Sequence, residues 1–215
     1  MRNLTDCYLY GILDLGYVAP ARIHDVAEAL IAGGVDVLQL RGKNVPVPDL
    51  IGMATELHEL TAASDVPLVI NDHPTIACEV PVEGVHVGQD DEAIGAVREI
   101  VGRPIWVGKS THSVTQAVAA EREGADYIGF GPVYATPTKR DYTPVGLNDI
   151  DQVRRLVKRP IFCIGGIKLQ NLPMVIAAGA RRVVIVSGLL LADDITEYAR
   201  SCRNLLQSAP QPASA

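Results

Sequence analysis

Apolar positions along the chain recur in two alternating rhythms. Tyr8-Leu-Tyr-Gly-Ile-Leu13 is a short, nearly continuous apolar run, and Ile23, Val26, Ala27, Leu30 and Ile31 then fall at i, i+3, i+4, i+7 and i+8, one face of a helix. Gly33-Gly34 stops that helix. The couplet repeats. Val35–Arg41 is a second strand before a helix marked by Leu50, Met53, Ala54, Leu57 and Leu60; Pro67–Asn71 is a third, before a short helical segment at Thr75–Cys78. Gly84–Gly88 precedes a helix whose apolar face is Ala93, Ile94, Val97 and Val101. Pro104–Gly108 precedes one that opens with the capping-box spacing of Ser113-Val-Thr-Gln116. Tyr127–Phe130 leads through a long loop to a helix over Leu147–Val157, and Pro160–Ile164 to a helix carrying Leu172, Val175 and Ile176. Arg182–Val186 leads to a last helix over Leu190–Leu206.

Strands this apolar belong to a parallel sheet covered by helices on its outer face. Eight near-equal units, each on the order of 25 residues, predict a single (β/α)8 TIM barrel over residues 1–206, with a disordered tail at 207–215. A doubly wound open sheet is the alternative, but no Gly-x-Gly-x-x-Gly follows the first strand.

Composition narrows the partners. With 48% hydrophobic and 20% charged residues among 215, a soluble one-domain protein is expected. The net charge is −6, the pI is near 5.3, and no run of lysines and arginines stands out, so nucleic acid is not an expected partner. Cys7, Cys78, Cys163 and Cys202 are widely spaced and read as buried thiols rather than bridges or metal ligands. The first residues lack the apolar segment of a signal peptide and no apolar run reaches membrane-spanning length, so the cytoplasm is the expected location. The chain is compatible with a homo-oligomer.

In a barrel of this kind chemistry collects at the C-terminal ends of the strands. Gln39, Arg41 and Lys43 alternate after the second strand, and period-two geometry sends all three to one face, where two cations would suit a phosphate or diphosphate. An internal salt-bridge network is the alternative. Asp72 and Asp91 come from adjacent strand ends and suit Mg²⁺ on a diphosphate better than zinc, although Asp90 and Asp91 could instead serve a helix N-terminus. His86 reads as a packed, hydrogen-bonded histidine. Ser110-Thr-His112 offers a hydroxyl and an imidazole that meet a substrate or cap the next helix. Gly165-Gly166-Ile167 and Val186-Ser187-Gly188 end the last two strands, where backbone N–H groups can approach a second phosphate. The loop from Pro132 to Val145 is long for a strand-to-helix connection and carries Thr136, Thr138, Lys139 and Arg140, an inventory for an anion or for a solvated surface loop.

Taken in order, Gln39-Leu-Arg-Gly-Lys43, Asn71-Asp72 with Ala77, Gly84-Val-His-Val-Gly-Gln-Asp-Asp91, Ser110-Thr-His112, Gly124–Pro132, Thr136-Pro-Thr-Lys139, Gly165-Gly-Ile167 and Val186-Ser187 resemble the thiamine phosphate synthase (thiamine-phosphate pyrophosphorylase) family over nearly the whole ordered chain. The resemblance implies that Gln39, Arg41, Lys43, Asn71, Ser110 and Lys139 hold hydroxymethylpyrimidine diphosphate. Arg41, Lys43, Ser110 and Lys139 would carry the catalysis, Asp72 and Asp91 would ligate Mg²⁺, and Thr136, Thr138, Gly166, Val186 and Ser187 would bind thiazole phosphate. It further implies a dissociative transfer: diphosphate leaves, a pyrimidine-methyl cation forms, and the thiazole nitrogen attacks it without any protein nucleophile. The related thiazole tautomerase, with His112 as base, and a non-catalytic barrel that binds thiamine phosphate are the competing readings. Three positions depart from the family pattern: Gly11 in the first strand, Lys109 in the turn before Ser110, and Val184 where alanine is usual. Lys109 is expected to bear on the pyrimidine pocket, the other two on packing.

Overall fold

The structure, a computed structural model, describes residues 3–136 and 143–209. Eight parallel strands close into a barrel in sequence order: β1 (Leu9–Asp14), β2 (Val37–Arg41), β3 (Leu68–Asn71), β4 (Gly84–Val87), β5 (Trp106–Thr111), β6 (Tyr127–Phe130), β7 (Ile161–Ile164) and β8 (Arg182–Ile185). The ring closes through β8 on β1, with Tyr10 opposite Val184. Outside lie α1 (Ile23–Ala32), α2 (Val47–Ala63), α3 (Ile76–Glu79), α4 (Ile94–Val101), α5 (Val114–Arg122), α6 (Ile150–Leu156), α7 (Leu172–Ala177), α8 (Ser187–Leu190) and α9 (Ile195–Ser208). The expected barrel is therefore the observed one.

Each strand is buried on both faces because alternate residues serve two cores. Leu9 and Leu13 of β1 point outward and pack with Ile23, Ala27 and Leu30 of α1 in the layer between sheet and helices. Tyr10 and Ile12 point inward with Val37, Val69, Tyr127, Phe162 and Val184, and Leu4 and Cys7 close the lower mouth. Tyr10 and Tyr127 both meet Phe162 edge-on, with centroids 5.4 and 5.7 Å apart, the arrangement aromatic quadrupoles favour.

Several boundaries differ from those read in the sequence. β5 does not stop at Gly108 but pairs on through Lys109, Ser110 and Thr111 with Ile128, Gly129 and Phe130, since ladder bonds to β6 outweigh the polar character of those residues. β1 likewise extends one residue past Leu13 to Asp14, opposite Arg41. The last helix continues to Ser208, past Leu206, and α8 is a separate turn before it. Residues 210–215 of the expected tail lie outside the described residues. Cys7, Cys163 and Cys202 are buried and in no disulfide, but Cys78 is exposed, because α3 is one turn long and covers little. No helix among the described residues is long and apolar enough to cross a membrane.

Asp36 ties the lower end together. Its carboxylate, 1% exposed, accepts the N–H groups of Tyr8 and Leu9 at 2.9 and 3.0 Å and pairs with Arg203 of α9 at 2.9 Å. Removing it strands two buried N–H groups and a cation, so Asp36→Ala is expected to lower the unfolding free energy by about 3 kcal/mol in equilibrium denaturation. A loss below about 1 kcal/mol would mean that water replaces the carboxylate.

Candidate active site

The inward positions of the strands converge on one pocket at the C-terminal mouth. β1 and β2 supply Asp14, Gln39 and Arg41; β3, β4 and β5 supply Asn71, His86 and Ser110, with His112 just beyond. Across the mouth, Phe162, Ile164 and Val184 make an apolar wall that leads to Gly166, Val186 and Ser187, and Thr136 reaches the same pocket. Eight residues singled out in the sequence for substrate binding thus meet in one place. Gly166 adopts φ +64°, and a Cβ there would sit 2.7 Å from Tyr134 Cβ, so a side chain could not share this turn. Thr138, Lys139 and Arg140 lie outside the described residues. Val184, expected to concern packing, lines the pocket wall itself.

The alternation Gln39, Arg41, Lys43 holds only for its first two members. β2 ends at Arg41 and Gly42 begins a turn closed by Val45 N–H on Gly42 O, which carries Lys43 out of the interior to an exposed position at the rim. Arg41 is not a bare cation: its Nη1 donates to Asp14 Oδ2, with the two side chains 12% and 4% exposed. The internal ion pair weighed as an alternative is therefore real for Arg41. Asp14 fixes one edge of the guanidinium and leaves its other donors to face a ligand. The sequence reading missed Asp14 because it ended the first strand at Leu13; the signal was the two-residue step from Tyr10 through Ile12 to Asp14.

Asp72 and Asp91 come together as the strand order requires. Asp72 follows β3 with φ +63°, a conformation Asp tolerates better than most residues, and its N–H donates to His86 O at 2.9 Å. Gly88 N–H donates to Asp91 Oδ2 at 2.6 Å, and the Asp72 carboxyl lies within hydrogen-bonding reach of it. Burial and the neighbouring Asp91 push the Asp72 carboxyl up, against the pull of Lys43 and Arg41. Burial works in the same sense on Asp91, but the Gly88 N–H, Asp72, Lys43 and Lys109 hold it below the usual carboxylate range. Two carboxyls in contact with unequal proton affinity form a place for one shared positive charge. α4 starts only at Ile94 with Ala93 as its N-cap, so Asp91 does not serve that helix. Among the described residues no set of three or more His, Cys, Asp or Glu could hold a metal; two carboxylates alone suit a hard cation that keeps water or phosphate in its other positions.

Lys109 is not in a turn and does not line the pocket. It lies on β5 opposite Val87 and, as the neighbour of inward-facing Gly108, points outward; 7% exposed, it is felt at the site through its charge on Asp91.

A hydrogen-bonded chain crosses the barrel interior beneath the pocket. Gln39 Nε2 donates to Tyr10 OH at 2.7 Å, Tyr10 OH meets Tyr127 OH at 3.1 Å, Tyr127 OH meets His86 Nδ1 at 3.2 Å, and His86 Nε2 meets Ser110 Oγ at 2.9 Å. Burial holds both phenols far above their ordinary pKa, so they stay protonated. With Gln39 donating, the Tyr10 proton passes towards Tyr127 and the Tyr127 proton towards His86 Nδ1. His86 then carries its own on Nε2, and the Ser110 proton is left for a ligand. Gly108 makes the chain possible, since a Cβ there would lie 2.1 Å from Tyr127 Cζ and 2.5 Å from His86 Nδ1. Ser110 does not cap α5; Ser113 does, with its Oγ 3.2 Å from Gln116 N and Gln116 Oε1 accepting His112 N–H at 2.7 Å. His112 Nδ1 is 2.5 Å from Gly131 O, which makes Nδ1 the donor and Nε2 the basic nitrogen. At the start of the chain, Gln39 Oε1 is buried with no hydrogen-bond partner.

A closed (β/α)8 barrel with buried polar side chains, cations and paired carboxylates at the C-terminal ends of its strands defines a barrel enzyme with a site for anionic ligands. The family model described as thiamine monophosphate synthase matches residues 9–189, and the chain belongs to that family. It is 39% identical over 212 residues to the thiamine-phosphate synthase of Chloroflexus aurantiacus, covering 98% of both chains. It is also 39% identical over 193 residues to that of Halalkalibacterium halodurans, covering 89% of this chain and 92% of the relative. Among solved structures, the thiamine phosphate pyrophosphorylase of Pyrococcus furiosus superposes with a TM-score of 0.87 at 29% identity, over 96% of this chain and 98% of that one.

The buried chain yields a direct expectation. Imidazole ¹⁵N spectra should show His86 as a single Nε2–H tautomer, and Tyr127→Phe should convert it to a mixture while lowering stability by about 1 to 2 kcal/mol. Identical spectra for the two proteins would refute the proton order given above.

Proposed function

We propose that the chain joins 4-amino-5-hydroxymethyl-2-methylpyrimidine diphosphate to 4-methyl-5-(2-phosphoethyl)thiazole, giving thiamine phosphate and diphosphate. The observation that carries this reading is the juxtaposition at one mouth of the Asp72–Asp91 pair, the held Arg41 guanidinium and Lys43 beside an apolar pocket. Family membership and the thiamine-phosphate synthase relatives support it.

The pyrimidine diphosphate lies on the β2–β5 side. Gln39 Oε1, buried without a donor, fits an amino group on a flat ring, and the aromatic and aliphatic interior beneath the pocket fits the ring itself. Arg41, Lys43, Ser110 and Asn71, with Lys139 from the loop outside the described residues, hold the diphosphate. Their donors stabilise the negative charge that grows on it as the carbon–oxygen bond breaks. Asp72 and Asp91 would hold Mg²⁺, which when bound neutralises the departing diphosphate and orients it. Gly166, Val186, Ser187 and Thr136, with Thr138, hold the thiazole phosphate across the mouth, so the ring nitrogen approaches the methylene cation as a bound neighbour rather than from solution. No protein nucleophile is required. Ser110 is a donor held by His86, and burial pushes the Cys163 thiol up to about 12, on a residue outside the pocket.

The test is to mix purified protein with both substrates and Mg²⁺ and follow thiamine phosphate and diphosphate by chromatography. Product that forms only with Mg²⁺ is the expected result. Proton exchange on the thiazole phosphate alone would move the assignment to a tautomerase using His112, and binding of thiamine phosphate without turnover would make the barrel a product-binding protein.

Asp91→Ala is expected to abolish Mg²⁺-dependent turnover while changing stability by no more than about 1 kcal/mol, since the residue is exposed. A variant that fails to fold would assign Asp91 a structural role. Asp72→Asn should keep the left-handed backbone, relieve the like-charge contact and leave the metal-free melting temperature unchanged or higher, with the stabilisation by Mg²⁺ lost. A melting temperature that still rises with Mg²⁺ as in the wild type would remove Asp72 from the metal site.

A further inference from the structure

A second cavity, of about 260 Å³, lies at the opposite end of the barrel, between the loop that joins α6 to β7 and the loop that joins α7 to β8. Five of its lining side chains are cationic, Arg154, Lys158, Arg159, Arg181 and Arg182, and none is acidic. The gathering is notable in a chain with 19 lysines and arginines and a net charge of −6.

Nearby carboxylates neutralise little of it. Asp151 pairs with Arg154 at 2.9 Å but also serves Arg155 at 3.1 Å. Glu121 turns Oε1 to the backbone N–H groups of Lys158 and Arg159, at 2.7 and 3.0 Å, which holds the loop and leaves the side-chain cations alone. Among the described residues no ion pair joins Lys158, Arg159, Arg181 or Arg182 to a carboxylate.

A basic face that is merely solvated keeps its guanidinium nitrogens in water. Here the Nε atoms of Arg154, Arg181 and Arg182 are all buried with no hydrogen-bond partner, although Arg182 Nη2 donates to Thr5 O at 2.7 Å. Because these Nε atoms are shut off from solvent, an anion in the cavity would meet the outer nitrogens of these side chains rather than Nε. Guanidinium forks match phosphate oxygens in pairs, and five cations call for more than one negative charge.

We propose that this cavity is a binding site for a polyphosphate anion, a chain of two or three phosphoryl groups free or at the end of a nucleotide. It is separate from the mouth where Arg41 and Lys43 stand and does not depend on the reaction assigned to that mouth.

The test is calorimetric titration with tripolyphosphate in chelator-containing, Mg²⁺-free buffer. Wild type, Lys43→Gln, the double variant Arg159→Gln/Arg181→Gln, and Lys158→Gln/Arg159→Gln, which alters two exposed residues, would be compared. The expected result is a saturable event, one per chain, that Lys43→Gln keeps and both double variants weaken by about tenfold or more. ATP binding as tightly as tripolyphosphate would show that the phosphate chain alone is read; tighter ATP binding would assign a nucleotide, and both support the site. The proposal is overturned if Lys43→Gln removes all saturable binding, if both double variants bind as wild type does, or if sodium chloride at equal ionic strength reproduces the signal.

Discussion

Closure of eight parallel strands is the constraint from which the rest follows. Once the ring is closed, every second side chain must point into a space that aromatic and aliphatic residues fill through its lower half, from Leu4 to Phe162. The upper half receives Asp14, Gln39, Arg41, Asn71 and Ser110, because the same alternation continues to the strand ends. A shift of one residue in any strand would exchange that strand's inward set for Leu13, Leu40 or Lys109. Register, rather than any single bond, assembles the site.

The polar groups placed there are organised rather than merely collected. Asp14 gives Arg41 a fixed orientation, and the two tyrosines, which burial keeps protonated, join His86 in linking Gln39 to Ser110. Such chains rigidify what they connect, so two side chains across the interior present a defined acceptor, Gln39 Oε1, and a defined donor, Ser110 Oγ, to a ligand that spans them. The carboxylate pair is held differently: Asp72 by an unusual backbone conformation and Asp91 by one N–H, both at the rim where water and ligand oxygens can complete a coordination shell.

Much of this was legible in the sequence, for physical reasons. Periodicity exposes the strand and helix units, and strand ends in a parallel barrel must converge, so Gln39, Arg41, Asn71, Ser110, Gly166 and Ser187 are recognisable before any coordinates. What was not legible depends on pairing between distant segments. β5 runs on through Lys109 and Ser110 because β6 pairs with it, which no local propensity reveals, and the same extension turns Lys109 away from the pocket. Asp14 becomes meaningful only opposite Arg41. The basic cavity draws its cations from α6, the loop after it and the entry into β8; Arg154, Lys158 and Arg159 stand close together in the sequence, but only the fold adds Arg181 and Arg182, more than twenty residues further on. His86, read as packed and hydrogen-bonded, is so, with Tyr127 and Ser110 as partners that the sequence does not name.

The central claim is that the paired carboxylates and the cations of β2 act on one ligand together. The most direct measurement is the affinity for the pyrimidine diphosphate titrated with and without Mg²⁺, and the affinity for Mg²⁺ titrated with and without the diphosphate. The account predicts that each tightens the other by the same factor, about tenfold or more, as linkage requires of two ligands in contact. Diphosphate binding that is strong and indifferent to Mg²⁺ would contradict it.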